Sequence, residues 1–284
     1  MSHTAYKVHE IIGRAVSQEW SVPEFQRGFV WKATQVRDLA DSLWLDYPVG
    51  SVLLWDSSGQ KVPPIPRSAE GYPQPKLWLV DGQQRTTALC ILSGKKPYWW
   101  ADSSEWNSLL ERYDIRFDIE ASEPPFFVVA NATMKSLKNS RYVPVRELLN
   151  ANPNDADDAE RMQHLARQIK DNGLCAGRDV MEIYSRLARV QRIRDRDIVT
   201  ISVSHDLEEV VDIFGRLNSK GTRVRETDIY LGVVAARDSG WVRDEFLPFL
   251  EKLENTGFDV TPNLLFQTVA AIGRNGCLRM ECCP

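Results

Sequence analysis

The chain has 284 residues, 43% of them hydrophobic and 26% charged, with a formal net charge of -4. This is enough apolar content for one large domain or two small ones, and the mild acidity excludes a uniformly basic nucleic-acid binder while leaving room for a local basic face. No run approaches the roughly 18 apolar residues of a membrane helix, and Met1 to Glu10 lacks a signal-peptide core, so a cytoplasmic protein without membrane contact is expected.

Ala15 to Val22 reads as extended chain. It leads into Val22-Pro23-Glu24-Phe25-Gln26-Arg27-Gly28-Phe29-Val30-Trp31, where Pro23 and Gly28 oppose regular structure and place Gln26 and Arg27 on a loop, a usual setting for binding groups. Arg27 there reads as a clamp for phosphate or carboxylate, and the three aromatics read as core plugs. Val36, Leu39, Ala40, Leu43 and Trp44 recur at helical spacing and predict a helix from Ala33 to Asp46, ended by Tyr47-Pro48. Val49 to Trp55 reads as a buried strand and Ser57 to Pro75 as an exposed Pro- and Gly-rich loop.

The rest of the chain is organised around Leu77-Trp78-Leu79-Val80-Asp81-Gly82-Gln83-Gln84-Arg85-Thr86-Thr87-Ala88-Leu89. An apolar strand pattern stops at Asp81-Gly82 and passes directly into a helix pattern that runs to Gly94, a natural C-cap. The first N–H groups of a helix lack internal partners and the helix dipole is positive there, so a glycine turn followed by donors makes an anion site. Gly82 allows close backbone approach, and Arg85 adds a planar fork suited to phosphate. Asp81 repels phosphate, so its roles are capping the helix, orienting Arg85 or holding a divalent cation. The alternative is a helix cap followed by a solvated polar face.

Beyond this helix, Trp99, Trp100 and Trp106 surround a short polar connection. Tyr113 to Ile119 and Pro125 to Ala130 read as paired strands, and Tyr142 to Leu149 as extended chain followed by a short helix. The acidic residues 152 to 158 read as a hinge or helix start, which sets a domain boundary near residue 150. Glu160 to Lys170 and Asp179 to Arg192 are helical in pattern. Arg186, Arg189, Arg192, Arg194 and Arg196 form the best basic cluster, although its interspersed acids suit a mixed-charge face. Ile198 to Val203 alternates as a strand able to return to the first sheet. Leu207 to Leu217 then carries a helical stripe ending in Asn218-Ser219-Lys220-Gly221, with further helices around 226–237, 242–253 and 262–272. Gly221 suits a helix stop or a loop beside a ligand, with Asn218 and Lys220 supplying an amide and a cation.

Several chemistries lose support by absence. The five cysteines and four histidines are dispersed, so no disulfide framework or zinc quartet is legible. There is no GxxxxGKS/T phosphate loop, no GxGxxG and no GxSxG elbow. If this protein acts on DNA, another domain or chain does the cutting.

Val22 to Trp31, Val80 to Leu89 and Phe214 to Gly221 resemble, in order and over about 200 residues, the three signature blocks of the N-terminal domain of GmrSD-type modification-dependent restriction systems. Thr86 stands where the family commonly has an apolar residue, and Thr222-Arg223-Val224 follows the third block acceptably. The resemblance implies a core similar to the ParB and sulfiredoxin fold, with Asp81 to Arg85 as a nucleotide motif and NTP binding or hydrolysis controlling nuclease action on modified or foreign DNA. Family members often continue into an HNH-type nuclease domain, whereas this sequence stops at Cys282-Cys283-Pro284. The expectation is a nuclease partner or a truncated chain.

The combined expectation is an α+β protein, a ParB-like nucleotide-binding domain over residues 1–150 and a mostly helical region over 151–284 that completes the site. As an NTPase it would bind an NTP with Mg²⁺. Gln26, Arg27, Gly82, Gln83, Arg85, Thr86, Asn218, Lys220 and Gly221 would surround the nucleotide, Asp81 would hold the metal, and Asp81, Gln84 and Arg85 would act catalytically. As a non-hydrolysing module it would instead bind DNA through Arg27 and the Arg186 to Arg196 stretch, with an affinity that falls steeply with salt. A third class is a regulatory subunit that only gates a partner nuclease.

Overall fold

The structure, a computed structural model, describes residues 2–23, 26, 28–58, 77–132, 141–151, 155–173, 177–206, 209–210, 212–213, 231–232, 234–235, 238, 240–257, 260–261, 264–266 and 268–269. It is an α+β protein. In chain order come β1 (Ser2–Lys7), α1 (Val8–Val16), β2 (Trp20–Ser21), α2 (Ala33–Trp44), β3 (Val52–Asp56), β4 (Leu77–Asp81) and α3 (Gln83–Ser93). Next are α4 (Ser103–Arg112), β5 (Ile115–Asp118), β6 (Phe127–Val129), β7 (Tyr142–Pro144), α5 (Val145–Asn150), α6 (Ala156–Asp171) and α7 (Val180–Gln191). A short 3₁₀ turn precedes β8 (Asp197–Val203), and a π turn at Val242–Phe246 leads into α8 (Leu247–Asn255).

The strands form a five-stranded sheet of order β1-β8-β3-β4-β2 and a three-stranded sheet of order β6-β5-β7. β1 runs antiparallel to β8, from Ser2 opposite Ser202 to Lys7 opposite Asp197. Residues 52–55 of β3 and 78–80 of β4 are buried without alternation, the mark of strands covered on both faces. In the smaller sheet β5 pairs antiparallel with β6, as expected for residues 113–119 and 125–130, and on its other edge with β7.

By its contacts the chain divides into two compact units, one of residues 1–21, 29–54 and 81–202, the other of residues 22–28, 55–80 and 203–284. The boundary expected near residue 150 falls inside the first of these. α3 belongs to the first unit and is buried from Thr86 to Ser93 without interruption, which makes it a central helix and not an amphipathic surface one. In the second unit Leu231, Ala235, Val242, Phe246, Leu250 and Leu265 form a separate apolar cluster.

Two elements depart from the sequence reading. Ala15 and Val16, read as extended chain, close α1, and only Trp20–Ser21 is strand. The helix wins because Val8, Ile11, Ile12 and Ala15 recur at helical spacing and are all buried. The connection holding Trp106 is itself a helix, α4, whose N-cap Asp102 accepts from the backbone N–H groups of Ser104 and Glu105.

Asp41 on α2 ties that helix to the smaller sheet. Its carboxylate is buried and accepts the Phe126 N–H at 2.7 Å and a further backbone bond from Phe127. Burial pushes the Asp41 pKa above its ordinary value, against the lowering effect of those two bonds and of Arg37, with Asp38 adding to the rise. A carboxyl raised on folding contributes stability that is present below its unfolded pKa and is lost as pH climbs through the folded one. The Asp41→Asn variant lacks this titration, so its melting temperature relative to wild type should rise as pH climbs above about 4, the ordinary range of an aspartate. Parallel melting curves for the two proteins across that range would contradict the assignment.

Candidate functional site

β4 carries the chain out of the sheet to Asp81, Gly82 takes a φ of +91°, and α3 begins at Gln83. A side chain in that left-handed region costs about 1–2 kcal/mol. A Cβ on Gly82 would also lie 3.2 Å from Val52 Cγ2 and 3.4 Å from Arg85 Nη1. Gly82 is the N-cap, and no side chain caps the helix. This corrects the capping role considered for Asp81, which is the last residue of β4 and stands one position too early. The helix therefore starts on a residue that has no side chain to cap it.

The Arg85 side chain folds back over this turn. Its Nη1 donates to the Ser51 carbonyl at 2.7 Å. Its Nη2 faces Gly50, where a Cβ would lie only 2.9 Å away, and Gly50 itself has a φ of +83°. Burial pushes the guanidinium pKa down and the Asp81 charge opposes that shift. Arg85 stays protonated at neutral pH, so a desolvated cation lies beside one carboxylate, an arrangement that gains when an anion arrives.

The neighbouring motif residues are also fixed. Gln84 Oε1 accepts the Val30 N–H at 2.8 Å, which ties the end of the first aromatic block to the first turn of α3. Thr86 N donates to the Gly82 carbonyl at 2.8 Å and closes that turn. Gln83, Thr86 and Thr87 are buried, and the hydroxyls of Thr86 and Thr87 have no hydrogen-bond partner among the described residues. In the second unit Gln26 is buried and its Nε2 donates to the Val80 carbonyl at 2.7 Å, one residue before Asp81. Arg27, Asn218, Lys220 and Gly221 lie outside the described residues.

Of these groups the structure brings together Asp81, Gly82, Gln83, Gln84, Arg85 and Thr86, all in the first unit. It adds Gly50 and the Ser51 carbonyl, which sequence reasoning missed. The sequence reading put Gly50 inside a strand from Val49 to Trp55, whereas the strand begins at Val52, and nothing in a one-dimensional pattern says that this glycine faces an arginine 35 residues on.

The basic stretch behaves differently. Arg186 donates to the Ala121 carbonyl at 2.6 Å, Arg189 to the Trp44 carbonyl at 3.1 Å and Arg194 to the Ala151 carbonyl at 2.7 Å. Arg196 pairs with Asp46 at 2.6 Å. Four of the five arginines thus hold the first unit together. Among the described residues no three His, Cys, Asp or Glu side chains gather as a metal cluster, and no helix is long and apolar enough to cross a membrane. Cys90 on α3 is buried and its thiol pKa is pushed up, which removes it as a nucleophile.

Comparison with known proteins bears directly on this site. The chain is 26% identical over 177 residues to an uncharacterised protein of Methanocaldococcus jannaschii, a match covering 54% of this chain and 30% of that relative. It therefore spans about a third of the length of the curated protein it matches. The family model described as the GmrSD restriction endonuclease N-terminal domain matches residues 8–234, a stretch that contains the uncapped turn, Arg85 and the loop bonded to Gln84. The chain belongs to the family of GmrSD restriction endonuclease N-terminal domains.

Proposed function

We propose that the Asp81 to Arg85 turn binds the phosphates of a nucleoside triphosphate, and that the chain is the NTP-hydrolysing regulatory module of a modification-dependent DNA restriction system, with the nuclease supplied by another domain or chain. The observation that carries this reading is the helix start capped only by a left-handed glycine, with the Arg85 guanidinium folded back beside it. Bare glycine backbone, a helix N-terminus and a desolvated cation are the parts from which phosphate sites are built. The residues present fit the group.

Backbone N–H groups of the first turn and Arg85 would hold the phosphates, and the buried Thr86 hydroxyl has hydrogen-bonding capacity to spare. Asp81 offers one carboxylate to Mg²⁺, which commonly takes one or two carboxylates and completes its shell with water and phosphate oxygens. The metal, when bound, would neutralise charge on the phosphates. Gln84 holds the Val30 backbone and so keeps the aromatic block against the motif, and Arg85 supplies fixed positive charge where phosphate charge develops. A part for Asn218, Lys220 and Gly221 in nucleotide binding rests on the resemblance of their block alone. Modified or foreign DNA would be the target of the assembly, a role that rests on the family.

Melting of the wild-type protein with each NTP and Mg²⁺, followed by phosphate release on the same samples, tests the reading. A ligand that binds only the folded state stabilises by about 2.7 kcal/mol at 100 times its Kd. At least one NTP should therefore raise the melting temperature by several degrees and yield phosphate. No shift with any NTP would overturn nucleotide binding, and a shift without phosphate release would leave a binding module that does not turn over.

A further inference from the structure

We propose that Gly50 is a positioning residue of the site, holding the Arg85 guanidinium at the turn by offering it bare backbone as a floor. The ligand side of this inference rests on the phosphate reading above; the contact itself does not. Three observations converge. Gly50 adopts a φ of +83°, a conformation that disfavours side chains. A Cβ built there would meet Arg85 Nη2 at 2.9 Å, Cζ at 3.3 Å and Nη1 at 3.7 Å, so all three nearest atoms belong to one guanidinium. The next residue, Ser51, receives Nη1 on its carbonyl at 2.7 Å.

The corner between α2 and β3 thus gives Arg85 both a floor and a latch. Because the atoms a Cβ would meet form the far end of a long side chain, adding one displaces the guanidinium before it distorts the fold. Arg85 has already used one N–H on Ser51, and its remaining donors are aimed by this contact. Gly82 also lies against this group, with Nη1 3.4 Å from its would-be Cβ. Two glycines thus lie against one cation, and it is at Gly50, with the 2.9 Å approach, that a side chain must move it.

Asparagine tolerates left-handed backbone, so Gly50→Asn introduces a Cβ with little backbone strain. Gly94→Asn is the control. Gly94 also has a positive φ, +69°, but its would-be Cβ meets only Arg146 Cβ and Cδ, at an ordinary 3.8 Å. Each variant is made in wild-type and Arg85→Ala backgrounds, and each is measured by titration of Mg²⁺-ATP and Mg²⁺-GTP and by melting. Gly50→Asn should weaken the binding of whichever nucleotide wild type takes by roughly tenfold or more, while Gly94→Asn stays within about twofold. The melting cost of Gly50→Asn should shrink when Arg85 is alanine, because the displaced group is gone. Binding by Gly50→Asn that equals wild type, or a melting cost that is the same in both backgrounds, overturns the proposal. If wild type takes neither nucleotide, the phosphate reading falls and the melting comparison decides the positioning role alone: coupling upholds it and additivity overturns it.

Discussion

Replacing Arg85 by alanine is expected to weaken NTP binding by roughly 10- to 100-fold while leaving the fold in place. Hydrogen bonds from a charged group are worth about 1.5–3 kcal/mol, and each 1.4 kcal/mol is tenfold in affinity. Arg85 is the cation held at the uncapped start of α3, and burial has already stripped part of its hydration, so its bonds to phosphate replace less water than those of a surface arginine. The substitution also leaves the Ser51 carbonyl without its donor at 2.7 Å, a stability cost of about 1–3 kcal/mol that circular dichroism melting will read separately. Arg85→Lys keeps the charge and loses the planar fork, so an intermediate affinity follows. Titration calorimetry on the three proteins checks the series. Equal affinities with intact folds would remove Arg85 from the site.

The largest effect on stability is expected at Trp44, far along the chain from the motif. Trp44→Ala should cost about 3–5 kcal/mol, a large share of the 5–15 kcal/mol by which domains are typically stable. The indole is 2% exposed. Its ring lies 4.9 Å from Phe117, 5.7 Å from Phe126 and 6.2 Å from Phe127, centroid to centroid. The Arg189 guanidinium covers its face at 4.3 Å and Arg186 approaches at 5.7 Å. One side chain therefore joins α2, the smaller sheet and α7, and its loss leaves an aromatic cavity and takes the ring from under Arg189, while Arg186 keeps Phe117 at 5.3 Å. The midpoint of urea unfolding checks this. A loss below about 1 kcal/mol would mean that the cluster collapses onto the space without penalty.

That cluster also explains why the arginine run from 186 to 196 was easy to find and hard to interpret. Its charge is plain in the sequence, but the carbonyls of Trp44, Ala121 and Ala151 that consume it belong to segments 43 or more residues away. The turn at Asp81 was different, because everything that defines it is local. The apolar run into Gly82, the helix pattern after it and the Gly94 stop were all legible, and β4, Gly82 with its positive φ, α3 and the left-handed Gly94 cap match them. The paired strands β5 and β6 were readable for the same reason, their alternation being a property of adjacent residues. α1 and α4 were missed although each carries a local signal, the Val8/Ile11/Ile12/Ala15 spacing and the Asp102 cap three residues before Glu105. The partners of Arg85 were beyond reach in principle, since a backbone carbonyl and a missing Cβ leave no mark on residue type.

Hydrogen exchange of the backbone amides in the peptide spanning residues 77–93, with and without saturating Mg²⁺-NTP, tests the central claim most directly. First-turn N–H groups that bind phosphate become protected, so slowed exchange confined to Gly82 through Arg85 is the expected result, and it should vanish in Arg85→Ala. Nucleotide that binds while these amides exchange at their free rate would place the phosphates elsewhere and reduce the Asp81 to Arg85 turn to a structural strand-to-helix connection.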